Sequence, residues 1–283
     1  MTATDSDPHE AAGSAMPTPN PAVPQRPLGR SGLLVSALAF GAVKIGRNAG
    51  LKYPAGFDLP DDETLARLLD GLVDLGIQTF DTAPAYGTSE QRLGDWLRLR
   101  PGLRERLVLC TKVGEAFDPE TAASTFDFSA PATEDSLARS RDRLGCDQID
   151  VVHVHSDGND AAILDAGDTG CVAALIRARA AGHIRAIGFS GKTVAGARAA
   201  LDWADSVMVT LHADDRSHAD VVAEAADRGV GVMVKKGLGS GHLEAAEALA
   251  YLAGVPGLSS VVIGSLNATH MRSNAAAFGG TPR

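Results

Sequence analysis

From residue 30 onward the chain alternates two patterns. Short apolar runs stop at turn residues, and each is followed by a longer segment whose apolar positions recur every three or four residues. The first pattern fits buried strands, the second helices with one buried face. The runs lie at 36–40 (SALAF), 77–81 (IQTFD), 107–112 (LVLCTK), 149–155 (IDVVHVH), 185–190 (RAIGFS), 206–211 (SVMVTL), 231–236 (GVMVKK) and 259–264 (SSVVIG). Helices are expected to open near Asp61, Ser89, Thr133, Thr169, Thr193, Ser217, His242 and Asn267. The first of them carries Leu65, Leu68, Leu69, Leu72 and Val73, an i, i+3, i+4, i+7, i+8 stripe. Asp61 is its candidate cap and Gly76 its stop. A helix after every strand gives an α/β chain of the (β/α)8 TIM-barrel type, which typically takes about 250 residues. RPLGRSGLLV, ahead of the first barrel strand, reads as an N-terminal β-hairpin plugging the barrel bottom. A doubly wound open sheet is the alternative. Its candidate loop, GLGSGH at 237–242, is not GxGxxG and lies far from the first βαβ unit.

A length of 283 residues with 45% hydrophobic content suits one large domain with a full core. Residues 1–26 are rich in Ala, Pro, Thr, Ser and Asp, so a disordered tail is expected ahead of a single catalytic barrel domain over 27–283. That tail lacks the apolar stretch of a secretory signal, and Met16 within it is a candidate alternative start. The balance of 26 basic against 35 acidic residues, net −9, argues against nucleic-acid binding. No apolar run approaches the roughly 18 residues of a membrane span. Cys110, Cys146 and Cys171 are odd in number and without metal-ligand spacing, so reduced thiols, a cytoplasmic location and no bound metal are expected.

In such a barrel the carboxyl ends of the strands share one rim, where active sites lie. Asp81, Lys112 and His155 end three of the runs, and Tyr86 follows Asp81 in a Pro/Gly turn. These types suit carbonyl reduction. Hydride arriving at a carbonyl carbon leaves an alkoxide-like oxygen that needs a proton. A tyrosine supplies it if its reference pKa near 10 is lowered. An ammonium about 4 Å away is worth on the order of 4 kcal/mol at an effective dielectric of 20, or roughly three pKa units before screening. Lys112 is the candidate for that charge, Asp81 for holding it, and His155 for donating to the same oxygen. Plainer roles remain open: Asp81 as a turn cap, Tyr86 as packing, Lys112 as a solvated strand end. His153 and Cys110 read as core residues.

The run DTAPAYGTSEQRLG (81–94) resembles the DTAxxYGxSExxLG signature of the aldo-keto reductase superfamily. LGRSGLLVSALAFG (28–41), TKVG (111–114), the IDVVHVH strand and IGFSG (187–191) follow in that family's order, over Arg26 to Phe278. The resemblance implies an NAD(P)-dependent oxidoreductase of alcohol-dehydrogenase type acting on a small carbonyl or alcohol. Tyr86 would be its general acid/base, Lys112 and Asp81 the tuning pair, and His155 the substrate-orienting residue. It further implies a cofactor, NADPH in preference to NADH, extended across the rim without a Rossmann domain. VVIGSLNATHMRSN (261–274) resembles the segment that holds the adenosine 2′-phosphate, implying contacts from Gly264, Ser265, Asn267, His270 and Asn274 near a helix N-terminus. Lys236, Gly237, Leu238 and Ser240 are implied along the pyrophosphate, and Gly41, Ala42, Asp81 and Ser190 elsewhere along the cofactor. Gly191 stands where the family usually has the asparagine that grips the nicotinamide carboxamide. Met208 replaces a glutamine, Leu211 the aromatic that stacks on the ring, and His270 a frequent arginine.

The chain runs only about nine residues past Asn274, which implies an open pocket compared with relatives that carry a long tail loop. The segment 44–58, with Lys44, Arg47, Lys52 and Tyr53, is expected either to cover that pocket and favour polar or acidic aldehydes, or to be a solvated loop. Two other functions fit the same residues. A lyase would use Lys112 as a Schiff-base nucleophile, and a non-catalytic regulatory protein would bind NAD(P)H without turnover.

Overall fold

The computed structural model describes residues 23–51 and 53–279. Met16, Lys52 and most of the expected tail lie outside the described residues. Of the expected tail, residues 23–26 are described: Val23 is buried and Gln25 opens the first strand.

Strands β1 (Gln25–Pro27) and β2 (Leu34–Ser36) pair antiparallel as the expected hairpin. Strands β3 (Leu38–Gly41), β4 (Thr79–Asp81) and β5 (Val108–Val113) begin the barrel. A second hairpin, β6 (Glu115–Asp118) with β7 (Ala123–Phe126), follows β5. The barrel continues with β8 (Ile149–His155), β9 (Ile184–Ser190), β10 (Ser206–Thr210), β11 (Gly231–Lys235) and β12 (Ser260–Ile263). It is closed and parallel, β12 pairing back onto β3. The open-sheet alternative therefore falls. Each barrel strand lies within two residues of its predicted bounds.

Alternation along the strands divides the core in two. Val108, Cys110, Val151, Ala186, Met208 and Met233 face the barrel axis and meet Leu28, Leu33 and Val35 of the first hairpin, which closes the bottom. The intervening residues face outward beneath the helices. Asp61 caps the helix Asp62–Asp74 by accepting from the Thr64 N–H, and Leu65, Leu68, Leu69 and Leu72 form its buried face. The helix expected to open at Thr133 begins a turn earlier, at Ala130, because Ser129 caps it and Pro131 suits its first turn.

The helix Ser89–Arg98 packs its Gly94 directly against the end of the helix Ala130–Leu144. A Cβ at Gly94 would stand 1.9 Å from the Arg143 carbonyl oxygen, whereas one at Gly71 would meet nothing within 4 Å. In a helix Gly→Ala normally stabilises by about 1 kcal/mol. Gly71→Ala is therefore expected to raise stability by up to about that amount. Gly94→Ala is expected to lower it by about 1–3 kcal/mol through overpacking. Denaturant unfolding of the two variants checks the opposite signs.

Candidate active site

Pairing of β4 with β5 sets Asp81 opposite Cys110, so Lys112 reaches back across the rim from two residues further along. Its Nζ donates to Asp81 Oδ1 (2.8 Å), Asp81 Oδ2 (2.7 Å) and the Thr82 carbonyl (2.8 Å). Lys112 is only 1% exposed. Burial alone would discharge such an ammonium, but Asp81, with Tyr86, more than reverses this and raises its pKa. From Asp81 the chain enters a short turn, Pro84–Tyr86, that ends at Gly87. Gly87 has φ +61°, and a Cβ there would lie 2.2 Å from the Gly46 carbonyl oxygen, so the turn is pressed onto the loop after β3. The next helix is tied down by buried Glu90, which accepts from Thr111 Oγ1 (2.5 Å) and Arg143 (3.1 Å).

This framework brings Tyr86 beside Lys112 Nζ, 4.8 Å from the ring centroid, and edge-on to His155 at 6.3 Å and 88°. The pKa of Tyr86 is raised, not lowered as the sequence suggests. Burial outweighs the Lys112 ammonium, and Asp81 opposes that ammonium further. His155 Nδ1 lies 2.8 Å from Glu115 Oε2 at the start of β6. The approach is off the ring N–H axis, so the contact is an electrostatic pairing more than a linear hydrogen bond. Burial lowers the His155 pKa despite that carboxylate. His153, one inward position deeper, is fully buried with Nε2 3.0 Å from Ser206 Oγ.

These side chains open into a cleft of about 1490 Å³ across the barrel mouth. Of the expected cofactor contacts, Gly41, Asp81, Ser190, Gly191, Met208, Lys236, Gly237, Leu238, Ser240, Gly264, Ser265, His270 and Asn274 line it. Three do not. Ala42 is buried, its carbonyl accepting from Ser89 Oγ, and Leu211 points outward into the core beneath the helices. Asn267 is exposed and caps its own helix by accepting from the Thr269 and His270 N–H groups. The absent side chain at Gly191 also has a cause: a Cβ would stand 2.6 Å from the Phe189 ring and 2.9 Å from an Asp160 carboxylate oxygen. The segment 44–58 lines the cleft through Lys44, Arg47 and Tyr53, with Lys44 Nζ 4.2 Å above the Tyr53 ring. Arg47 is spent on the carbonyls of Ala85, Ala49 and Gly50.

Lys235, Thr210 and Glu115 also line the cleft, and sequence reasoning missed all three. Alternation held the signal for two of them. Met208 and Met233 face the axis, so Thr210 and Lys235 share the inward register, while Leu211 does not. Lys235 Nζ donates to Ser190 Oγ (2.9 Å) and the Gly191 carbonyl (2.8 Å). Burial first, then Lys236, Lys112 and Lys192, push its pKa down to about 7 against the smaller pull of Asp160.

A profile of the Aldo/keto reductase family matches residues 37–248. The chain belongs to that family. Its members carry out NAD(P)-dependent oxidoreduction of small carbonyl compounds. The chain is 33% identical over 261 residues to pyridoxal 4-dehydrogenase of Microbacterium luteolum, covering 78% of this chain and 72% of that protein. It is 29% identical over 242 residues to D-threo-aldose 1-dehydrogenase of a Pseudomonas species, covering 77% and 70%. A solved structure from Pseudomonas aeruginosa described as an aldo-keto reductase superposes with a TM-score of 0.81 at 43% identity, over 90% of this chain and 94% of that one.

Two of the lysines that line the cleft of this aldo-keto reductase, Lys112 and Lys235, differ in chemistry. Lys112 has every N–H engaged and stays charged, whereas Lys235 loses its proton as pH rises through about 7. Competitive labelling with an amine-reactive reagent, read by peptide mass spectrometry, is expected to modify Lys235 with a midpoint near pH 7. Lys112 should stay unmodified in the folded protein.

Proposed function

We propose that the cleft reduces an aldehyde or ketone to an alcohol, or runs the reverse oxidation, with Tyr86 as the general acid/base. The observation that carries this reading is the buried Lys112 ammonium, fixed by Asp81 and Thr82 beside Tyr86 on the rim that also holds His155. When bound, NAD(P)H supplies the hydride. Tyr86 hands its phenolic proton to the oxygen that becomes the alcohol, and Lys112 stabilises the phenolate left behind. Asp81 keeps Lys112 charged and in place. Because the pKa of Tyr86 is raised, the phenol is protonated at neutral pH and ready for reduction. Oxidation needs the phenolate, so its rate should climb with pH while reduction declines at strongly alkaline pH.

The residues lining the cleft fit an extended dinucleotide, since Ser190, Gly191 and Lys235 lead along one continuous cavity to Gly237, Leu238, Ser240, Ser265, His270 and Asn274. Lys235 offers a donor beside Ser190 where Gly191 has no side chain, which weighs against a protein that binds cofactor without turnover. NADPH is the cofactor of this reading, with a cytoplasmic setting in which the free thiols stay reduced. The Schiff-base alternative at Lys112 has no support from its geometry: an ammonium with its hydrogens spent on Asp81 and Thr82 presents no lone pair.

Titration with NADPH and NADH, followed by turnover of generic aldehydes, tests the proposal. Tyr86→Phe is expected to lower kcat by about 10²–10⁴-fold while leaving the Kd for NADPH unchanged. Full activity in that variant would remove Tyr86 from the role, and binding of neither cofactor would sink the whole reading.

A further inference from the structure

We propose, resting on the cofactor reading of the cleft, that Lys235 tells the two redox forms of the cofactor apart. Its ammonium disfavours the oxidised nicotinamide, which carries a positive charge, and not the neutral reduced ring. The proton on Lys235 therefore biases the cleft toward the reduced form.

Lys235 ends β11 and lines the cleft, where its Nζ donates to Ser190 Oγ (2.9 Å) and the Gly191 carbonyl (2.8 Å). Ser190 is in register with His155 across the β8–β9 pair, so the lysine is anchored to the strand beside the proton-transfer group. Hydride has to reach a carbonyl carbon whose oxygen meets Tyr86, and reacting atoms in a productive complex stand about 3–3.5 Å apart. The reacting ring of the cofactor therefore shares the barrel mouth with the Lys235 amine. Both acceptors of that amine among the described residues are neutral, whereas Asp81 compensates Lys112. Its charge is left to act on whatever enters the mouth.

The proton is also easily exchanged. Burial, then Lys236, Lys112 and Lys192, bring the titration of Lys235 to about 7 against the pull of Asp160. His153 and His155 on β8, and His218 ahead of the helix Ala219–Asp227, face it as well. Burial lowers the pKa of all three, so they are neutral where Lys235 titrates. The flanking strands β10 and β12 carry no titratable side chain. Oxidised and reduced cofactor differ by one positive charge, and it sits on the ring. Attraction between the amine and the phosphates is common to both forms and cancels in their ratio. Repulsion between like charges sharing the barrel mouth is worth about tenfold or more at an effective dielectric of about 20. The oxidised form prefers the neutral amine, so its relative affinity rises as pH climbs through the Lys235 titration, and its binding expels more protons.

Titration of the full chain with NADP⁺ and NADPH from about pH 6 to about pH 9 measures the ratio of their Kd values. In wild type the ratio, oxidised over reduced, should fall by about tenfold across that range. Lys235→Met should hold it at the low value throughout, and Lys235→Arg at the high one. A lysine that only supports Ser190 would shift both affinities together, so a ratio left unchanged by Lys235→Met at the acid end overturns the proposal. Calorimetry of the wild type in buffers of different ionisation heat counts the protons whether or not the variants fold. Fewer protons bound with NADP⁺ than with NADPH supports the proposal, and equal counts at every pH overturn it. Binding of neither form overturns the cofactor reading and this inference with it, whereas the ratio and the proton counts bear on Lys235 alone.

Discussion

The Lys112–Asp81 pair is the constraint from which the rest of the site follows. Taking one charge out of water costs several kcal/mol, and leaving a buried partner alone costs about 3–5 kcal/mol, so the two are tolerated only together and with their hydrogen bonds filled. Here both carboxylate oxygens and the Thr82 carbonyl fill them. The pair joins β4 to β5 above the last ladder contact, and the Thr82 carbonyl starts the turn that delivers Tyr86. Stability and site geometry are therefore one feature.

That same pair limits what the lysine does to the tyrosine. Tyr86 faces an ammonium already neutralised by Asp81, so it feels something closer to a dipole than a bare cation. Burial then prevails and raises its pKa. A simple Coulomb argument from sequence gives the right neighbour and the wrong sign. In the closed cleft, desolvation falls on the phenol while most of the ammonium field is spent locally.

Two further groups balance the cleft. Lys235 enters from the opposite wall with neutral acceptors, and burial, with the neighbouring amines adding to it, pushes it toward neutrality. Glu115 enters from the hairpin between β5 and β8 and sets its carboxylate 2.8 Å from His155 Nδ1. Among its lining groups the cleft thus holds one lysine locked in the charged form, one near its titration point, and a histidine with a carboxylate beside its inner nitrogen. Gly191 belongs to the same arrangement, because Asp160 and Phe189 occupy the space its side chain would need.

Period-two runs and helical stripes were enough to specify the strands, the plugging hairpin and the rim positions of Asp81, Lys112 and His155. Those features depend on local alternation, which each short stretch of sequence carries by itself. Inward register was legible too, and following it to the strand ends separates Thr210 and Lys235 from Leu211. The sequence left open what depends on distant chain segments meeting. The β6–β7 hairpin brings Glu115 to His155, Asp160 fills the space beside Gly191, and Asn267 spends its side chain on its own helix. The sign of the Tyr86 shift belongs with these, since desolvation and charge compensation exist only once Asp81, Lys112 and Tyr86 share one dry corner of the barrel.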